Sequence, residues 1–290
     1  MATDMASLHP DQGIPPTGPL PGAPVRPVSG LLPPPDPDRP ASRVFGEDPI
    51  LYDRFRPGYP RDLMETVVSG TGRGPVLEIG AGTGKATRAL LALGRPVYAL
   101  EPDPRMASVL ELNCGHDNVS VVRASLEEAN LPAEAFRLAV AAQTWHWVDP
   151  SSAYARVADA LGDEGRLALL WHHPLDDQGM LGEAMERLYA SLAPGIGAIW
   201  PGMEARDFDP PRDHVGAASR FRGWTYHEHR WERRLDAVGL VGWLCSSSAH
   251  RLLPVPDRVE LMTAVAALVQ ELGGEVTVGM RTVAHIGLRV

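Results

Sequence analysis

Lysine is almost absent from this chain: Lys85 is the single one among 27 basic residues. Arginine carries nearly all the positive charge, a bias that fits a GC-rich genome and says nothing about mechanism. Cysteine is nearly as scarce. Cys114 and Cys245 cannot by themselves build a disulfide framework or a zinc site, so a reducing, cytoplasmic setting is expected. No run of 18 apolar residues occurs, which argues against a membrane-spanning helix. The N-terminal end has no basic segment followed by an apolar core, so no secretory signal is expected. An excess of positive charge is also lacking. A formal charge of −9 over 290 residues weighs against nucleic acid as a partner, because neutralising phosphates takes a basic surface.

What remains is an ordinary globular composition, 44% hydrophobic and 22% charged, at a length that fits one large α/β domain with room for an insertion. Residues 1–44 hold 12 of the 28 prolines and almost no aromatics. Such a segment buries too little apolar area to offset its ordering entropy, which predicts a disordered tail, with a proline-rich docking arm as the alternative. The folded domain is expected over 45–290.

Within it, short apolar runs alternate with helical patterns. Strands are predicted at Val76–Ile79, Val97–Leu100, Val119–Val122, Leu138–Ala142 and Arg166–Trp171, then at Tyr226–Leu235 and Val276–Leu288. Helices are predicted after Pro60, over Lys85–Leu93 and Pro104–Asn113, from Asp149-Pro150 to Leu161, over Gly179–Leu192, from Asp236 to Ser247, and over Pro256–Leu272. This alternation predicts an α/β fold built on a doubly wound, mainly parallel sheet. The regularity pauses over 174–224. An insertion after the fifth strand would lie above the carboxyl ends of the strands, so that segment is expected to form a helical substrate cap.

The stretch Val76-Leu77-Glu78-Ile79-Gly80-Ala81-Gly82-Thr83-Gly84 carries the most chemistry. It reads as a buried strand running into a glycine turn at which a backbone can approach a ligand closely. Glu101 follows at the end of the next strand, about 20 residues on, where α/β nucleotide folds grip a ribose diol. A carboxylate there accepts from both hydroxyls. Dinucleotide sites space their glycines as G-x-G-x-x-G, whereas here an acid, Glu78, precedes the pattern Gly80-x-Gly82-x-Gly84. An acid at that point disfavours a pyrophosphate and suits a cationic ligand bearing an amino group, such as S-adenosylmethionine.

The segment resembles the first motif of class I S-adenosylmethionine-dependent methyltransferases, and Glu101 their ribose-binding acid. Ala141-Ala142-Gln143-Thr144-Trp145-His146-Trp147-Val148-Asp149-Pro150 lacks the Asn/Asp-Pro-Pro-aromatic motif of amino-group DNA methyltransferases. It is similar instead to the small-molecule, type 11 subgroup that includes trans-aconitate methyltransferase. Tyr52-x-x-Phe55-Arg56-Pro57-Gly58-Tyr59-Pro60 resembles that subgroup's entry segment, and Gly162 to Trp171 its turn and fifth strand. The resemblance covers about 45–172 well and the last 60 or so residues loosely. Phe136-Arg137 departs from a common Phe-Asp, and the proline-rich tail has no counterpart.

The resemblance implies a Rossmann-like, seven-stranded fold and S-adenosylmethionine as cofactor. Gly80, Gly82 and Gly84 would shape its turn, with Glu78 near the methionine amino group and Glu101 on the ribose. Ser125, Leu126 and Glu127 would border the adenine, and Gln143 the methionyl chain. Ser125 and Glu128 equally read as a helix capping box. His146 is the candidate catalytic residue, as base for a hydroxyl substrate, as donor to a carboxylate, or simply packed at the strand end. Tyr52, Arg56, Trp145 and Trp147 are candidates for the substrate, one of the two tryptophans being expected to face the core. Arg56 would pair an anionic group, or else form a structural ion pair. His172-His173 is not accompanied by acids at ligand spacing, so no metal is expected. The expected activity is methyl transfer to a small molecule, most simply to a carboxylate or hydroxyl oxygen. A non-catalytic S-adenosylmethionine-binding protein and, less favoured, an NAD-type oxidoreductase are the alternatives. Oligomeric state is not legible.

Overall fold

Three four-residue apolar runs form one half of the central sheet. In the computed structural model, which describes residues 44–115, 118–196 and 219–290, β1 (Val76–Ile79), β2 (Val97–Leu100) and β3 (Val119–Val122) span the predicted residues. The strand β4 (Phe136–Ala142) begins at Phe136 rather than Leu138, and β5 (Leu161–Pro174) is longer at both ends than predicted. The chain closes the sheet with β6 (Phe221–Asp236) and β7 (Glu275–Arg289). The order is β3-β2-β1-β4-β5-β7-β6, with β1 to β5 parallel and β7 antiparallel to both of its neighbours. The expected mainly parallel seven-stranded sheet is the one observed. The proline-rich tail falls outside the described residues except for Val44, as does the part of the expected cap over 197–218.

Helices cover both faces, which is why the central strands read as continuous apolar runs rather than alternating ones. Leu77, Ile79, Ala139, Leu169 and Trp171 point to one face and meet Tyr154 and Val157 of α5 (Pro150–Ala160). Val76, Val97, Leu138 and Val140 point to the other. There they meet Met64 and Val67 of α2 (Arg61–Val68), Leu90 of α3 (Lys85–Ala92) and Leu110 of α4 (Pro104–Cys114). Helix starts follow capping chemistry. Asp149 accepts from Ser151 N–H at 3.0 Å with Pro150 at the first position of α5, and Asp103 caps α4 in the same way.

A third apolar cluster joins α1 (Pro49–Phe55), α6 (Gly179–Leu192), α7 (Ala237–Cys245) and α9 (Val255–Glu271) to the far half of β7. The short α8 (Ser248–Arg251) links α7 and α9. Helix α6, the described helix of the expected cap, buries Leu181, Met185 and Tyr189 in this cluster. The sequence did not reveal α1. It is held against α7 at Gly242, where any side chain would run into the Phe55 ring at 2.6 Å. The expected capping box at Ser125 is a turn rather than a helix start, although Glu128 does reach back to Ser125 N–H at 3.3 Å. Edge strand β6 is dense in charge (Arg222, Glu228, Arg230, Glu232, Arg233, Arg234), which protects an open sheet edge from pairing with other chains.

The order of strands reverses between β1 and β4: from β1 the chain winds outward to β3, and from β4 outward the other way. Connections leave that pair on opposite faces, opening a crevice at the carboxyl ends of β1 and β4.

Candidate functional site

The crevice is floored by the glycine turn between β1 and α3. Gly80 and Gly82 adopt φ of +63° and +60°, a region that L side chains enter at a cost. A Cβ at Gly80 would sit 2.3 Å from Thr144 Cγ2, so the turn and the segment after β4 touch backbone to side chain. Thr144 Oγ1 in turn donates to Gly80 O at 3.1 Å. At Gly82 the nearest atom to such a Cβ is Met106 Cε at 3.6 Å, so this glycine faces open space. Gly84 has a different job. It is packed under Leu110 and Cys114, and it does not line the crevice.

Two buried acids stand beside the turn. Glu78, 1% exposed on β1, accepts from Thr87 Oγ1 at 2.7 Å. Burial pushes its carboxyl up to about 8, against the opposing pull of that bond. Glu101, at the end of β2, accepts from Gly82 N–H at 2.7 Å with Oε2 and from Asp103 N–H at 2.8 Å with Oε1. Burial raises it to about 7, the two amide bonds acting the other way. Glu101 thus fixes the glycine turn from the neighbouring strand, and each carboxylate oxygen keeps a lone pair for a further donor.

The turn is also clamped from α1. Asp53 accepts from Thr83 Oγ1 at 2.8 Å and from Arg88 Nη2 at 2.9 Å, and Lys85 Nζ donates to the Asp53 carbonyl. These arginine and lysine partners hold the Asp53 carboxyl below the usual carboxylate range, although its burial opposes them. Burial lowers Lys85 to about 8. The bonds join residues 30 to 35 apart, a separation with no local signature, and sequence reasoning missed them.

After β4 the backbone bends sharply. Gln143 takes φ +59° and donates its N–H to Leu170 O at 2.8 Å, and Trp145–Trp147 then form a single 3-10 turn. Successive residues of such a turn point about 120° apart. Trp145 is turned into the core, fully buried, its Nε1 donating to Tyr154 OH at 3.0 Å. It does not line the crevice, so its assignment to the substrate is corrected by the geometry of this turn. His146 and Trp147 face the opening; Trp147 is 40% exposed, with its ring 6.2 Å from Phe45. The Nδ1 atom of His146 accepts from Trp171 Nε1 at 3.3 Å.

The crevice encloses about 850 Å³, within the range of sites for cofactor-sized ligands. Of the residues predicted for the cofactor, Glu78, Gly80, Gly82, Glu101, Ser125, Leu126, Glu127 and Gln143 all line it. Glu127 also accepts from Asp149 N–H at 2.9 Å, tying the third-strand turn to the start of α5. At the mouth stand Tyr52 and Arg56. The guanidinium of Arg56 lies 5.3 Å from the Tyr52 ring and 5.8 Å from that of Phe45, and its Nη2 donates to Ser246 O at 3.1 Å. Its Nε is buried with no hydrogen-bond partner among the described residues. Phe45 and Tyr59 also line the crevice without having been singled out, although Tyr59 lay within the entry motif, and Thr144, which the sequence placed with Gln143 and His146 beneath the methionyl chain, lines it too.

The paired histidines play another part. His172 is buried, bonds Thr282 Oγ1 at 2.8 Å through Nδ1 and stacks on Tyr59 at 4.4 Å; burial lowers it to about 3, so it stays neutral. Among the described residues no three His, Cys, Asp or Glu side chains gather at metal-binding distance, and no helix is long and apolar enough to cross a membrane.

The site has acceptors suited to a positively charged nucleoside ligand: one buried acid that could meet an amino group and a second that could meet a diol, beside a turn open at Gly82. Comparison with known proteins agrees. A family model described as a methyltransferase domain matches residues 77–169. Proteins named as uncharacterized methyltransferases of Mycobacterium tuberculosis and Mycobacterium bovis are 30% identical over 230 residues, covering 79% of this chain and 87% of theirs. The Ribosomal RNA small subunit methyltransferase A of Anaeromyxobacter dehalogenans is 30% identical over 210 residues, 61% of this chain and 69% of its own. Among solved structures, one assigned as a type II methyltransferase from the same organism superposes with a TM-score of 0.53 at 22% identity, over 81% of this chain and 97% of that one, a likeness of fold.

Proposed function

The chain belongs to the class I S-adenosylmethionine-dependent methyltransferases and uses S-adenosylmethionine as its cofactor, and from that premise we propose that it methylates an oxygen, carboxylate or hydroxyl, of a small molecule. The observation that carries the reading is Arg56. Its guanidinium lines the crevice near the Tyr52 and Phe45 rings, so a positive charge meets whatever enters at the mouth, which suits a small anionic group.

When bound, the sulfonium supplies an electrophilic methyl and leaves as a neutral thioether, so the protein's task is positioning and exclusion of water. In this reading Glu78 holds the amino group, Glu101 the ribose diol, and Ser125, Leu126 and Glu127 flank the adenine. Gln143 lies along the methionyl chain. His146 and Trp147 border the acceptor, with Tyr52 and Arg56 closing the mouth. The two cysteines, both free and buried, fit a cytoplasmic setting.

A ribosomal RNA acceptor is the second reading, since one relative bears that name. The formal charge of −9 speaks against it.

The deciding experiment is calorimetric titration with S-adenosylhomocysteine, followed by a methyl-transfer screen of small carboxylic acids and phenols, with a ribosomal RNA fragment as a separate arm. Turnover of an acid or phenol is expected. Methylation of the RNA alone would overturn the small-molecule reading.

Binding should also depend on pH. Burial keeps Glu78 largely protonated near neutrality, and an ammonium group beside it favours the ionised form, so binding releases a proton. Below the raised value of about 8, affinity therefore climbs with pH. With Glu78 ionised in the complex, its ionised fraction in the free protein rises from about 1% at about pH 6 to about half at about pH 8, so a gain of up to about 50-fold is expected, roughly tenfold per unit well below the raised value. Calorimetry in buffers of different ionisation enthalpy checks it. Affinity that is flat or falls with pH would remove the ammonium from Glu78.

A further inference from the structure

The contact between Trp171 and His146 bears on which acceptor the site takes. Trp171 lies on β5 just beyond the residue opposite the end of β4, is 1% exposed, and belongs to the core cluster beneath the crevice. It does not itself line the cavity. Its ring stands edge-on to His285 at 6.0 Å and is packed in place. The one polar atom it carries, Nε1, is 3.3 Å from His146 Nδ1.

An indole N–H can only donate. The imidazole nitrogen that faces it must therefore hold a lone pair, and in the neutral ring the proton then sits on Nε2. We infer that Trp171 is a positioning residue: it fixes His146 as the Nε2–H tautomer, so that His146 offers an N–H rather than a lone pair to the acceptor, and the site takes small carboxylates.

The chemistry separates the two acceptor classes. A hydroxyl must lose its proton as its oxygen bonds the methyl carbon and the carbon–sulfur bond breaks. Nε2 could take that proton only in the other neutral tautomer, with Nδ1 carrying the ring's proton and Nε2 bare, the ring then becoming imidazolium. That arrangement sets Nδ1–H against the indole N–H, with both donors facing each other in a part-buried contact. A carboxylate needs no such transfer. It is already ionised at neutral pH, its oxygen forms the new bond as the carbon–sulfur bond breaks, and the product ester leaves no proton to place. Throughout, a donor at Nε2 orients the oxygen, while Arg56 balances the charge the carboxylate brings in. The ring plane of His146 is further set by Trp147, whose ring centroid is 4.7 Å away. The tautomer thus follows from the core, through a residue that touches neither cofactor nor acceptor.

This inference rests on the methyl-transfer reading but is tested without it. The full chain, labelled with nitrogen-15 in histidine, is examined by long-range proton–nitrogen correlation at neutral pH, with and without S-adenosylhomocysteine, the His146 signals being assigned by their loss in His146→Gln. A protonated Nε2 and a bare Nδ1 are expected in the wild-type protein. In Trp171→Phe the share of ring with Nδ1 protonated should rise roughly fivefold, the worth of one ordinary hydrogen bond. Either Nδ1 protonated in the wild-type protein or a ratio unmoved by Trp171→Phe overturns the inference. If that variant does not fold, the wild-type spectrum decides alone. Acceptor pairs of matched shape complete the test: the acid should be methylated several-fold faster than its alcohol analogue, and turnover of the alcohol at an equal or greater rate would overturn the assignment to carboxylates. Binding of S-adenosylhomocysteine to a protein with Nδ1 protonated would sink this inference and leave the methyltransferase reading standing.

Discussion

Glu101→Ala should weaken S-adenosylhomocysteine binding by roughly 5- to 150-fold, the equivalent of about 1–3 kcal/mol for stranding polar partners. The carboxylate contributes twice. In the proposed reading it accepts from a ribose diol, and it already accepts from the Gly82 and Asp103 amides at 2.7 and 2.8 Å. Removing it frees the glycine turn as well as the ligand's hydroxyls. Glu101→Gln divides the two parts, since the amide keeps one acceptor but turns an NH2 toward an amide N–H. It should therefore bind less tightly than the wild type, with a smaller loss of thermal stability than the alanine variant. Calorimetry on folded variants makes the measurement. An unchanged dissociation constant in Glu101→Ala would remove Glu101 from the cofactor.

Gly80→Ala should be the most damaging single-atom change in the turn. The new Cβ would lie 2.3 Å from Thr144 Cγ2 and 2.9 Å from Thr144 Cβ, so rotating the threonine alone does not clear it. Left-handed backbone at +63° costs an alanine about 1–2 kcal/mol, and forced overpacking about 1–3 kcal/mol more. For a domain of this size that amounts to a fall in Tm of roughly 5–15 °C. The strain falls on the segment carrying Gln143 and His146, so cofactor affinity should fall too. Gly82→Ala is the informative contrast. Its φ of +60° brings similar backbone strain, but the nearest atom is 3.6 Å away. It should cost less in Tm while its methyl group intrudes on the cavity and weakens S-adenosylhomocysteine binding. Equal, small effects from both variants would mean that the turn and Thr144 do not pack as described.

Much of the fold was legible because its signals are local. The strands β1 and β2 are short, almost wholly buried apolar runs bounded by Gly and Pro, because both of their faces are covered, and the half-buried edge strand β3 is marked by its β-branched Val119, Val121 and Val122. Asp149 and Asp236 announced their helices because each side chain satisfies an amide within three residues. The acids Glu78 and Glu101 and the glycines between them were legible for a similar reason: a turn that must admit a ligand has few residue types to choose from.

The misreadings share a cause. Helix α1 offers only Leu51 and Phe55 to a core, too few to show a period, and it is fixed by Asp53 to residues 30 or more positions away. Ser125 and Glu128 have the letters of a capping box but form a turn, because the chain is drawn instead to Asp149 and α5. One of Trp145 and Trp147 was expected to face the core, as is the case, but nothing in the sequence told which. A 3-10 turn at the strand end sends one into the core and the other to the crevice.

The sequence by itself determined the order of strands and of most helices, the glycine turn and the two acids beside it, because each rests on residues close together in the chain and on backbone conformations that few residue types adopt. Only the tertiary structure decided which aromatic residues reach the cavity, that Asp53 clamps the turn, that Arg56 lies near the Tyr52 and Phe45 rings, and which nitrogen of His146 faces Trp171. Those depend on packing between strands and helices far apart in sequence, where burial sets both the direction of a side chain and the protonation it can hold.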